Sequence, residues 1–98
     1  MIKHIVMWRV SGSSPEERKR NALFVKEKFE GLRDKIPGLR HLEVGLDISH
    51  VDYACDAVLY SEFDSREELK AYALHPEHNK VKQELADCRV ERYQVDYV

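Results

Sequence analysis

Twice in this chain a serine stands three residues before a glutamate where an alternating apolar pattern gives way to a helical one. Ser14-Pro15-Glu16-Glu17 is the first instance and Ser65-Arg66-Glu67-Glu68 the second. A serine hydroxyl at a helix N-cap accepts a hydrogen bond from the amide three residues on, and the glutamate there can return the favour. In the first instance Pro15 occupies the first helical position, where its missing amide proton costs nothing. Two helices opened by the same device, each preceded by a strand, restrict the chain to a repeated strand–helix plan.

The rest of the pattern fills in that plan. Ile2–Val10 alternates, with Ile2, His4, Val6, Trp8 and Val10 on one face and Lys3, Ile5, Met7 and Arg9 on the other. Ala22, Val25, Phe29, Leu32 and Ile36 then recur at spacings of three and four, so the first helix is expected to reach Ile36 and stop at Pro37-Gly38. A second strand is expected over about Leu39–Ile48, with Leu42, Val44, Leu46 and Ile48 sharing a face. A third is expected over about Cys55–Phe63, with Val58 and Tyr60 turned away from Cys55, Ala57, Leu59, Ser61 and Phe63. The second helix carries Leu69, Tyr72 and Ala73 and stops before Pro76. Further helical turns over Glu77–Cys88 bury Val81 and Leu85, and Val90–Val98 is the last strand.

This β-α-β-β-α-β order is the α+β, ferredoxin-like pattern: an antiparallel four-stranded sheet with the helices on one face, in a single domain of residues 1–98. The face without helices holds Ile5, Met7, Val58 and Tyr60. A second copy packing sheet against sheet covers it, so a homodimer closing into a dimeric α/β barrel is expected. The formal charge is −2 and basic residues alternate with acidic ones, which argues against a nucleic-acid surface. No apolar run is long enough to cross a membrane, and the N-terminal run reads as a strand, not a leader. Cys55 and Cys88 lack metal-motif spacing and are expected to be reduced thiols in a cytoplasmic protein.

Chemistry concentrates in Tyr72-Ala73-Leu74-His75-Pro76-Glu77-His78. Histidine exchanges protons near neutral pH, and a proline between two histidines ends one helix and fixes how the second imidazole is presented. His78 is therefore the candidate base. Tyr72 is the candidate hydrogen-bond donor to a developing enolate oxygen. His4, on an apolar strand face turned toward the helices, is the third candidate. Trp8, Phe29, Ala57, Leu59 and Leu69 are candidate walls for a hydrophobic ligand, although such residues are more often simply core. His75 and His78 without a third ligand are weak grounds for a metal site, so neither metal nor cofactor is expected.

Ile2-Lys3-His4-Ile5-Val6, Ile36-Pro37-Gly38-Leu39, Leu42-Glu43-Val44-Gly45, Ser61-Glu62-Phe63-Asp64-Ser65 and the Tyr72–His78 segment together resemble the stress-responsive α/β-barrel domain family over nearly the whole chain. The resemblance implies a dimeric barrel of ferredoxin-like subunits. One plant branch of that family is a polyketide cyclase, closing a poly-β-ketone chain by aldol condensation without a cofactor. Carried over from that branch, His78 is the base, Tyr72 the assisting group and His4 the first-strand histidine. Ala57 stands where the branch has a further pocket histidine. The expected function is thus binding of a small hydrophobic or aromatic molecule, with His/Tyr acid–base chemistry of cyclase or lyase type. The alternatives are a binding or stress-response protein without turnover and a cofactor-free monooxygenase on the same fold.

Overall fold

The computed structural model of the chain describes residues 1–98. Its elements are β1 (Ile2–Val10), α1 (Pro15–Glu30), β2 (Leu39–Leu46), β3 (Ala57–Phe63), α2 (Arg66–Leu74), α3 (Pro76–Leu85), a 3₁₀ turn at Ala86–Cys88, and β4 (Arg89–Tyr97). The four strands form one sheet in the order β2-β3-β1-β4, with every neighbouring pair antiparallel. This is the ferredoxin-like arrangement that the order of elements implies. No helix is long and apolar enough to cross a membrane.

Both serine caps form. Ser14 Oγ accepts from the Glu17 amide at 3.1 Å and Ser65 Oγ from the Glu68 amide at 3.2 Å. The return bond of the first box is displaced by one residue, because the Glu17 carboxylate accepts from the Ser13 hydroxyl at 2.8 Å.

Two elements end earlier than their periodicity suggests. α1 stops at Glu30, not Ile36, because Gly31 is a poor helix former and Asp34 takes a left-handed φ of 69°. Successive turns carry Leu32 and Ile36 onward, and both stay buried in the core. β2 stops at Leu46. There the Asp47 carboxylate accepts from the Ser49 hydroxyl and the His50 amide, each at 2.8 Å, closing a side-chain turn that swings Ile48 out to 91% exposure. Ile48 is therefore no core residue. β3 likewise begins at Ala57, leaving Cys55 in the preceding loop. At the entry to β2, Gly38 has φ +78°, and a Cβ there would lie 2.5 Å from the Glu68 carboxylate.

The helices pack against β2, β3 and β1 over a core that includes Val6, Trp8, Val25, Phe29, Leu59 and Phe63. β4 is different. It is paired only to β1, and every residue after Arg89 is exposed. One side of β4 therefore forms an unroofed shelf beside α2 and α3. The other side joins the helix-free face of the sheet, where Met7, Val58, Tyr93, Val95 and Tyr97 are all at least one-third exposed.

Candidate functional site

The site is built where α2 breaks into α3 above the β1–β4 pair. His75 performs the break. Its backbone is extended (φ −67°, ψ 137°), and its amide caps α2 by bonding the Tyr72 carbonyl. Its ring Nδ1 accepts from the Glu77 amide at 3.0 Å and so opens α3. Pro76 takes the first position of the new helix, where no amide proton is needed. His75 is thereby spent on structure. The same break turns His78 back toward Tyr72, with ring centroids 4.3 Å apart.

Three of the sequence-predicted residues come together here. His4 lies edge-on to Tyr72 at 6.2 Å and to Phe63 at 6.2 Å. Its Nδ1 meets Asp96 Oδ1 at 2.5 Å, directly across the β1–β4 register, so the ring is fixed and joined to the edge strand. Tyr72 is 3% exposed, and burial pushes its hydroxyl pKa well above the usual value; Arg92 and Arg89 offset this only in part. The phenol therefore keeps its proton and can only donate it in a hydrogen bond. Burial also pushes the His78 pKa down to about 4, with Lys82, Arg89 and His4 acting in the same direction. The Ala73 carbonyl opposes this shift but makes no hydrogen bond of good geometry, and Nδ1 of His78 is buried without a partner. At neutral pH the imidazole is uncharged and has a free lone pair or proton, depending on tautomer.

Two depressions meet at this cluster. The smaller, about 400 Å³, is walled by Trp8, Phe29 and Leu59, all anticipated from the sequence, and by Arg89. The larger, about 650 Å³, extends toward Leu69, Lys70, Asp96 and the C-terminal end of β4. His4, Tyr72, His78 and Arg92 border both. Ala57 does not join them: it is buried opposite Trp8 and Leu46, and it lines neither space. No group of three His, Cys, Asp or Glu side chains converges in a way that would hold a metal.

Sequence reasoning missed the arginines. Arg89 and Arg92 are three residues apart, so strict strand alternation places them on opposite faces. In the β1–β4 ladder, however, Val10 faces Arg89, Arg9 faces Glu91 and Trp8 faces Arg92, leaving Val90 unpaired. That bulge puts both arginines on the helix side of the sheet. No periodicity in the sequence signals it.

The family model described as the stress-responsive A/B barrel domain matches residues 2–98. The chain belongs to this family. A dimeric protein of unknown function and ferredoxin-like fold from Bacteroides fragilis is 38% identical, superimposes with a TM-score of 0.84, and is matched over 98% of this chain and 93% of its own. A family protein with a ferredoxin-like fold from Mesorhizobium loti is 25% identical, with a TM-score of 0.70 and coverage of 99% and 94%. The hydroxynitrile lyase of Passiflora edulis, at 14% identity, a TM-score of 0.78 and coverage of 98% and 90%, shares the fold. Among curated proteins, no sequence matches. Membership in the stress-responsive barrel family carries the fold; the chemistry must be argued from the cluster itself.

Proposed function

We propose that this family member is a homodimer, joined through its open sheet face, that binds a small hydrophobic or aromatic carbonyl compound beside Tyr72 and His78 and removes a proton from the carbon next to the carbonyl. One observation supports the reading above the others: an uncharged, partnerless imidazole nitrogen packed against a protonated tyrosine at the edge of an apolar cavity. In the proposed step, the C–H bond breaks and its electron pair forms the enolate. The proton passes to a ring nitrogen of His78, and the Tyr72 hydroxyl donates a hydrogen bond to the enolate oxygen. His78 later returns the proton to carbon, or to the oxygen formed when the enolate attacks a second carbonyl. The lowered pKa keeps His78 in its unprotonated form at neutral pH, and the imidazolium formed in the step depends on the adjacent enolate for its stabilisation.

The test is deuterium wash-in at the methyl group of aryl ketones such as acetophenone in heavy water, followed by proton NMR. The intact protein should accelerate exchange above buffer, and His78→Gln should lower that acceleration by about 10²–10⁴-fold. Exchange at the buffer rate, alongside a ligand-induced rise in melting temperature, would favour the reading without turnover. A ligand at about a hundred times its dissociation constant adds roughly 2.7 kcal/mol, enough to be seen.

A further inference from the structure

We propose that the natural ligand of this cavity is a carboxylate, held at the β4 end by Arg89 and Arg92 with its apolar body toward Trp8 and Phe29. The inference rests on the ligand site proposed above and names its substrate class. The chain as a whole is acidic, with a formal charge of −2. The two depressions reverse that balance: Arg66, Lys70, Lys82, Arg89 and Arg92 border them, against the side-chain carboxylates of Glu91 and Asp96 alone. Both carboxylates are already engaged. Asp96 is bonded to His4, and Glu91 reaches Arg9 at 3.5 Å and accepts from the Tyr93 hydroxyl at 2.6 Å on the opposite face of the sheet. None of the five cations takes part in an ion pair.

Arg89 is the least ordinary of them. Its guanidinium carbon sits 5.7 Å from the ring centres of both Trp8 and Phe29, and its Nε is buried without a hydrogen-bond partner. The other two buried side-chain atoms lacking a partner are Trp8 Nε1 and His78 Nδ1, both from residues lining the same 400 Å³ cavity. A buried donor without an acceptor carries a desolvation cost, and such groups in a native fold call for a partner that the chain does not supply. The planar fork of a guanidinium resting on aromatic faces can pair with a carboxylate through two parallel N–H···O bonds. The Val90 bulge, which brings Arg89 onto the same side as Arg92, then has a consequence: it converts one cation at the shelf into two.

The experiment is an NMR or calorimetric titration of the full chain with benzoate, phenylacetate and hexanoate, each paired with its primary amide, and with inorganic phosphate. The acids should bind at least about tenfold more tightly than their amides, with the advantage shrinking as salt is raised. Arg89→Gln and Arg92→Gln should each reduce the acid-to-amide ratio toward one. Arg92 is exposed, so its variant tests the idea even if loss of Arg89 from the Trp8–Phe29 stack impairs folding. Equal binding of acids and amides would overturn the carboxylate inference and leave the ligand site standing. A preference that survives both substitutions, or phosphate alone outcompeting the acids, would also overturn it. Binding of neither acids nor amides would remove the ligand site and this inference together.

Discussion

His78 titrates in opposite environments in the folded and unfolded chain. Unfolded, the ring takes a proton near 6.5; folded, burial lowers that to about 4. Between these values the unfolded chain binds a proton that the folded chain does not, so stability falls as pH drops through the window. Above about 6.5 and below about 4 this residue adds no further slope. Allowing for solvent screening of a partly exposed ring, the loss is about 2 kcal/mol. Urea unfolding of the wild type and His78→Gln across pH 4 to 7.5 checks this. The difference between the two should grow in favour of the variant as pH falls, and parallel curves would mean that His78 is solvated. His78 and Tyr72 were legible in the sequence because residue type and the intervening proline, both local, announce them. His4 could be placed on the inward face by alternation, but its Asp96 partner lies 92 residues away and depends on strand register. Arg89 was not legible, since one unpaired residue reverses the face it occupies.

At the scale of elements, what is local in the sequence again predicts well. β1 spans the residues its alternation marks, and each serine opens the helix assigned to it. The ends of α1 and β2 were missed for a shared reason. Apolar spacing at Leu32, Ile36 and Ile48 continues past the point where the low helix propensity of Gly31 and the left-handed backbone at Asp34, or a side-chain turn at Asp47, halt the element. Leu32 and Ile36 are buried from turns as readily as from a helix, so burial outlasts periodicity there. The caps have a measurable share in stability. Ser14→Ala and Ser65→Ala should each cost about 1 kcal/mol in denaturant unfolding, because each leaves a helix amide without its acceptor. Ser13→Ala offers a contrast. Its hydroxyl serves only the exposed Glu17 carboxylate, so its loss should stay within about 0.5 kcal/mol. Equal costs at Ser13 and Ser14 would mean that the bond to the Glu17 backbone is not the stabilising one.

At the scale of the whole molecule, β4 links the open face to the site. Along this one strand Tyr93, Val95 and Tyr97 pair across from Met7, Ile5 and Lys3 on the helix-free face, while Arg92, Gln94 and Asp96 point to the cavity side. β4 is also an edge strand held only by β1, the kind of edge that proteins rarely leave uncovered. A sheet-to-sheet dimer would bury the apolar half of β4 and, through the same backbone, restrain the half that carries the arginines. The Bacteroides fragilis relative, 38% identical, is dimeric. Met7→Arg places a charge at the centre of that face, opposite Val58 and Tyr93, and touches neither cavity. In sedimentation equilibrium the wild type should run at twice the chain mass and Met7→Arg at once, since an unpaired charge buried between two sheets is strongly disfavoured. Amide exchange along β4 should then speed up, on the cavity-facing residues as well as on those of the open face. A Met7→Arg protein that remains dimeric would move the interface elsewhere. One that becomes monomeric with β4 unchanged would separate assembly from the site, because β1 alone would then suffice to hold the arginines in place.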